Sequence, residues 1–375
     1  MQLEWTFETP QAIRAVSLSS DGSRALAAGD GFVVLVDALT GKAVWVYRGG
    51  NKMNAATISA TGTFEVAGAE EAELVEFNAQ SNRTNWIART DGPVLSTAIS
   101  RNEQFIAAGV FFGTIYLYRN DSTPELIHGG EGSALSVDLS NSGSLLVAGT
   151  YSRKVMLFNS TAGTLAWSYN TSDTVESVSI SGDGTRIIAG TNDGQTLIFK
   201  TNDPKPFLTY RTLGAIRSVS ISANARRAIS GGTDSRILLF DTSLGRVVGN
   251  LTVSGVIDCT AASDTGAVEV AGSLTGDLYV LQNDTLTPKT VLTGFPVLSI
   301  AMSADGSMFL AGGGTKMSYY RLNPSNATET LARPSAAAAP DLIPYYGMVA
   351  LALVMLIAFS LRRKPSSSRA RGNPP

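Results

Sequence analysis

The sequence predicts an all-β chain: an eight-bladed β-propeller of four-stranded blades, closed by its N-terminal strand and followed by a C-terminal transmembrane helix. Three observations carry this. A unit of three short strands and two turns recurs along the chain, each copy marked by a serine: Ser19, Ser59, Ser100, Ser140, Ser181, Ser222, Ser263 and Ser303. The spacings are 40, 41, 40, 41, 41, 41 and 40 residues. A β-type period near this length is the mark of a propeller, whose units must stack to bury their faces. All four tryptophans (Trp5, Trp45, Trp86, Trp167) stand 14 residues before such a serine and locate a fourth, outer strand. Finally, 37 glycines with only 16% charged residues describe a turn-rich, weakly charged globular chain.

The copy at 174–199 shows the unit most clearly, with strands at 175–180, 186–189 and 195–199. Asp183-Gly184 and Asp193-Gly194 supply the positive-φ positions that tight hairpins need. Three residues after each serine stand Gly22, Gly62, Glu103, Gly143, Gly184, Ala225, Gly266 and Gly306. The strand around Trp5 precedes the first full copy, while the last copy ends near Arg321 with no outer strand of its own. The first strand can therefore complete the last blade and leave no open edge.

Residues 1–322 are assigned to the propeller, 323–342 to a Pro/Ala/Ser-rich spacer, 343–361 to the transmembrane helix and 362–375 to a basic tail. The span opens at Ile343, closes at Leu361, carries no charge and places Tyr345 and Tyr346 at one interface. Five positive charges follow in the tail, which puts the tail in the cytoplasm and the propeller outside, as a single-pass protein. Seven Asn-x-Ser/Thr sequons (Asn82, Asn120, Asn159, Asn170, Asn250, Asn283, Asn326) suit an exterior location. No signal peptide precedes Leu3, so a tail-anchored protein with a cytoplasmic propeller is the alternative. The chain enters and leaves the ring on one face. The other face points away from the membrane and would meet a partner.

A net charge of −2 with no basic stripe argues against nucleic acid. The single cysteine, Cys259, excludes an intrachain disulfide and shares a register with Ala15, Ala55, Ser96, Ser136, Ser177, Ser218 and Ser299. One histidine, His128, read as a solvated loop residue, cannot build a histidine metal site.

The segments Val155-Met-Leu-Phe-Asn and Ile237-Leu-Leu-Phe-Asp resemble WD40 repeats, without the Trp-Asp pair or Gly-His turn. Leu35-Val-Asp-Ala-Leu-Thr-Gly-Lys-Ala-Val-Trp45 resembles the tryptophan-docking repeat of quinoprotein (PQQ-type) propellers. The resemblance covers about 320 residues and implies a propeller ring, not an enzyme. For a quinoprotein it would imply pyrroloquinoline quinone and Ca2+ at the channel mouth, a carboxylate base and often paired cysteines; no such cysteine pair exists here. The expected function is thus a membrane-anchored, non-catalytic module that binds protein partners and takes no cofactor and no metal. The alternative is a PQQ-dependent surface oxidoreductase.

Two sets of candidate residues follow from the register. Phe111 and Phe112 in one second-to-third-strand turn, and Tyr151 and Arg153 in the next, offer a partner-binding patch framed by Arg48 and Lys52. Five residues before each serine, Arg14, Asn54, Leu95, Leu135, Glu176, Arg217, Asp258 and Leu298 should ring the channel mouth. In that ring Glu176, Arg217 and Asp258 alternate in sign across adjacent units, as a ligand site or as ion pairs between blades.

Overall fold

A computed structural model describes residues 1–322 apart from 82, 120, 121, 130, 131, 283 and 284; residues 323–375 lie outside it. The described chain is all β, with strands of mostly four to seven residues. In a typical unit the strands Val175–Ile180, Arg186–Thr191, Gln195–Lys200 and Pro206–Arg211 pair in order as an antiparallel sheet. The N-terminal strand Gln2–Glu8 pairs with Lys316–Arg321, from Gln2 opposite Arg321 to Glu8 opposite Lys316.

The blade count needs correction. The described strands form seven hydrogen-bonded sheets, not eight: six of four strands and one of six. By sheets the propeller is seven-bladed, and the six-stranded sheet takes in the first two sequence units. The cause is local. Elsewhere the turn between second and third strands falls outside the ladder, but here Asp30 pairs with Lys52. The chain reverses at Gly31 (φ 78°) and still returns so that Ala38 N–H donates to Ser23 O at 2.9 Å. The passage between the units also stays extended, so Lys42–Ile58 runs unbroken as outer strand of one unit and inner strand of the next. A second correction concerns the transmembrane helix. No helix among the described residues is long and apolar enough to cross a membrane, and 343–361 lie outside them.

The repeat serines are buried turn hubs. Ser181 Oγ accepts from Arg186 N–H at 3.0 Å and donates to Asp183 at 2.6 Å, and Ser19 and Ser303 repeat the pattern. Three residues on, the turn demands a left-handed backbone, which Glu103 (φ 60°) and Ala225 (φ 55°) adopt in place of glycine. The left-handed region costs an L-residue about 1–2 kcal/mol. Ala225→Gly should therefore raise stability by about 0.5–1 kcal/mol, read as a higher urea midpoint at unchanged m-value.

Inner strands of neighbouring units are joined by side chains rather than by a ladder. Ser96, Ser136, Ser177, Ser218 and Ser299 accept the N–H groups of Val137, Val178, Val219, Thr260 and Val16 at 3.0–3.2 Å. Each bond satisfies a backbone donor that would otherwise be stranded between blades. The Ser299–Val16 bond does so across the junction of the last and first units. Trp5, Trp45 and Trp167 donate their indole N–H to Ala38, Ala79 and Thr201 carbonyls in the following unit, at 2.7, 3.2 and 2.8 Å.

Candidate functional site

The face opposite the chain's entry and exit carries the turns between second and third strands and the passages from outer to inner strands. Phe111 and Phe112 lie in the turn between Ile106–Val110 and Ile115–Tyr118. Their rings meet edge to face at 5.2 Å, and Phe112 covers Gly92 while remaining 53% exposed. Tyr151 and Arg153 occupy the equivalent turn of the next unit, with Tyr151 45% exposed and Arg153 held at φ 63°.

Arg48 and Lys52 are strand residues rather than loop residues. Arg48 stands opposite Phe32 and Lys52 opposite Asp30 in the six-stranded sheet, with Lys52 Nζ 3.6 Å from Glu70. Sequence reasoning missed Leu213, which projects from the rim 95% exposed. Its turn is rigidly held: Thr212 N–H donates to Gly194 O at 2.9 Å, Thr212 Oγ1 donates to Gly214 O at 2.8 Å, and Leu213 N–H reaches Asp234 at 3.3 Å. The signal was present in the register. The equivalent positions are Pro10, Gly50, Asp91, Glu131, Ser172, Ser254 and Gly294, and only here is a large apolar residue found.

These apolar tips share one arc of the rim. Tyr151 O accepts from Thr174 Oγ1 at 3.2 Å, Ser172 donates to Asp193 at 2.6 Å, and Gly194 leads to the Leu213 turn.

At the axial mouth the predicted ring residues come together as neighbours. Arg14 bonds Asp30 at 2.6 Å and Asn54 at 3.2 Å, and Asn54 Nδ2 donates to Val94 O at 3.3 Å. Arg217 lies between Glu176 and Asp258, 3.4 Å from each, and all three side chains keep 20–28% of their surface exposed. Burial raises the Glu176 and Asp258 carboxyls above their ordinary values, and Arg217 opposes the rise in both. The inter-blade ion-pair arrangement is therefore present, and it satisfies Arg217 without a ligand.

The same residues do not fit pyrroloquinoline quinone and its Ca2+. The Glu176 and Asp258 carboxylates are already shared with Arg217, and the remaining ring members include Leu95, Leu135 and Leu298. Among the described residues no group of three or more His, Cys, Asp or Glu side chains could hold a metal ion. Cys259 is buried between blades, its thiol 3.6 Å from Val297 O. His128 ends the strand Pro124–His128 with its ring 5.9 Å from that of Phe158, a correction to its reading as a solvated loop residue.

Two buried carboxylates were also missed. Glu65 and Glu269 occupy the second-strand position held elsewhere by Ala25, Ile106, Leu146, Ile187, Ala228 and Phe309. Glu65 is fully buried, and neither carboxylate oxygen has a hydrogen-bond partner. Burial pushes its carboxyl up to about 8 against the pull of Arg24, with Glu76 adding to the rise. Burial likewise raises Glu269 to about 7, opposed by Arg227. Both are buried, so they bear on stability.

No curated protein matches the chain. Residues 29–283 match the family described as Outer membrane protein assembly factor BamB, a span that includes most of the repeat units, the axial triad and the apolar rim. The chain thus belongs to this PQQ-type β-propeller repeat family.

Proposed function

We propose that the protein is a non-catalytic binding module, held at a membrane by its apolar run 343–361, that receives protein partners on the rim carrying Phe112, Tyr151 and Leu213. The observation that carries this is Leu213, a leucine 95% exposed on a tightly hydrogen-bonded turn. Scattered exposed apolar residues are ordinary, but a fixed apolar tip on the same arc as the exposed aromatics Phe112 and Tyr151 offers a partner apolar surface to cover. The family's description supports a role in assembling membrane proteins, which is the process in which such a module would hold its partners. The reading requires no cofactor. It places the propeller outside the cytoplasm, following the basic tail 362–375.

A photo-cross-linking residue placed at Leu213 in intact cells tests this, with one at Leu244 on the opposite face as control. Leu244 is 62% exposed, so both probes are accessible. Discrete adducts should form from position 213 and not from 244. Leu213→Asp, combined with a cross-linker at Tyr151, should weaken capture about tenfold or more, as expected for loss of an anchor. The same adducts from both faces would sink the reading. Removal of 343–375 should move the protein from the membrane fraction to the soluble fraction.

A further inference from the structure

The residue after each repeat serine lines the innermost collar of the face opposite the rim: Ser20, Ala60, Arg101, Asn141, Gly182, Ala223, Asp264 and Ala304. Backbone bonds between this short turn and the next tie the units together around the collar. Ser20 N–H donates to Ala60 O at 2.9 Å, Asn141 to Gly182 at 3.0 Å, Asp264 to Ala304 at 2.9 Å, and Ala304 back to Ser20 at 2.8 Å. The bonds from Asn102, Asp183 and Asn224 to Asn141, Ala223 and Asp264 extend the series. The collar is tight. A Cβ added at Gly182 would stand 2.5 Å from Asn141 Nδ2 and 2.8 Å from the Ala223 methyl, so three successive units crowd one point.

Two collar positions carry charge, Arg101 in the third unit and Asp264 in the seventh. Their sheets are separated by three others one way around the ring and by two the other way, yet the Arg101 guanidinium is ion-paired with the Asp264 carboxylate. Only a path across the axis brings opposite units into such contact. Five of the six other collar positions carry small residues, Ser20, Ala60, Gly182, Ala223 and Ala304, and the sixth is Asn141.

We propose that Arg101 and Asp264 form a bolt across the axis, closing the channel at this face. The axial channel is then a well, entered only past Arg14, Asn54, Glu176, Arg217 and Asp258 on the rim side. The bolt also tethers the third unit to the seventh independently of the strand that closes the ring. A charged pair suits this role because salt or a competing charged group can open it, whereas a packed apolar plug would not respond.

The test places a thiol just inside the collar in the full-length protein. Cys259→Ala removes the native thiol, using the alanine found at the equivalent Ala15 and Ala55. Ala301→Cys adds one on the inner strand Ser299–Met302, where the register elsewhere holds Ser17, Ser179 and Ser220. Labelling by a polyethylene glycol maleimide should speed up about tenfold when Arg101→Ala and Asp264→Ala are combined, since the short path through the collar is then open in addition to the longer one from the rim. The charge swap Arg101→Asp with Asp264→Arg should restore the slow rate, while each half of the swap alone should not. High salt should accelerate labelling of the parent and leave the double alanine variant unchanged. Equal labelling rates in the parent, double alanine and swapped proteins would overturn the bolt. Failure of the double alanine variant to fold leaves the salt dependence and the swap as the deciding measurements, and a salt-independent parent rate would likewise overturn it.

Discussion

Glu65→Leu is expected to raise the stability of the protein at pH 8 by a few kcal/mol and to flatten its dependence on pH. The wild-type carboxyl is fully buried without a hydrogen-bond partner and is pushed up to about 8. A folded-state value raised above the unfolded one means that the folded chain binds the proton more tightly. Glu65's contribution is thus fully present below the unfolded value near 4.5 and is lost as pH rises through about 8. The whole shift corresponds to at most about 5 kcal/mol, and relaxation around the charge will reduce it. Glu269, raised to about 7, acts in the same direction over a narrower range. Leucine suits the position because Leu146 occupies its equivalent in the core of the fourth unit. Urea unfolding of the parent and Glu65→Leu at pH 5, 6, 7 and 8 checks this. Parallel pH profiles for the two proteins would show that Glu65 is charged in the folded state and that its burial has been misread.

Trp5→Ala should cost about 2–4 kcal/mol, the largest loss expected of any single truncation in the closing strand. The indole stacks on Tyr319 at 5.2 Å within its own sheet and donates to Ala38 O at 2.7 Å in the first unit. It therefore joins the two ends of the repeat array, where the Ser299–Val16 and Ala304–Ser20 bonds also meet. Trp5→Phe should recover most of the stacking but not the hydrogen bond, leaving a deficit of about 1 kcal/mol. Hydrogen exchange at the Val16 amide reports the same event locally. Its protection should fall in Trp5→Ala before that of Val178, which lies on the far side of the ring. Equal loss at both amides would mean that the ring opens only by global unfolding.

The strands and turns of each unit were legible because their signals are local. The repeat serine, the positive-φ position three residues later and the outer-strand tryptophan each report a short-range demand, and the turns built on Ser181 and Ser19 meet it. The Glu176–Arg217–Asp258 alternation was legible for the same reason: a fixed register converts sequence spacing into neighbouring positions. The merger of the first two units was not. It depends on whether Asp30 and the passage before Lys52 remain in a ladder, a matter of backbone path that no residue type at 30–31 or 49–52 declares.

The sequence by itself determined the repeat unit, its turn chemistry, the outer-strand tryptophans and the alternating charges of the axial triad. Tertiary structure alone decided that two units share one sheet, that Leu213 stands clear in solvent, that Glu65 lacks a partner, and that Arg101 reaches Asp264. The division has a physical cause. Propensity and period act over a few bonds, whereas burial and pairing depend on which groups a closed ring brings together through space.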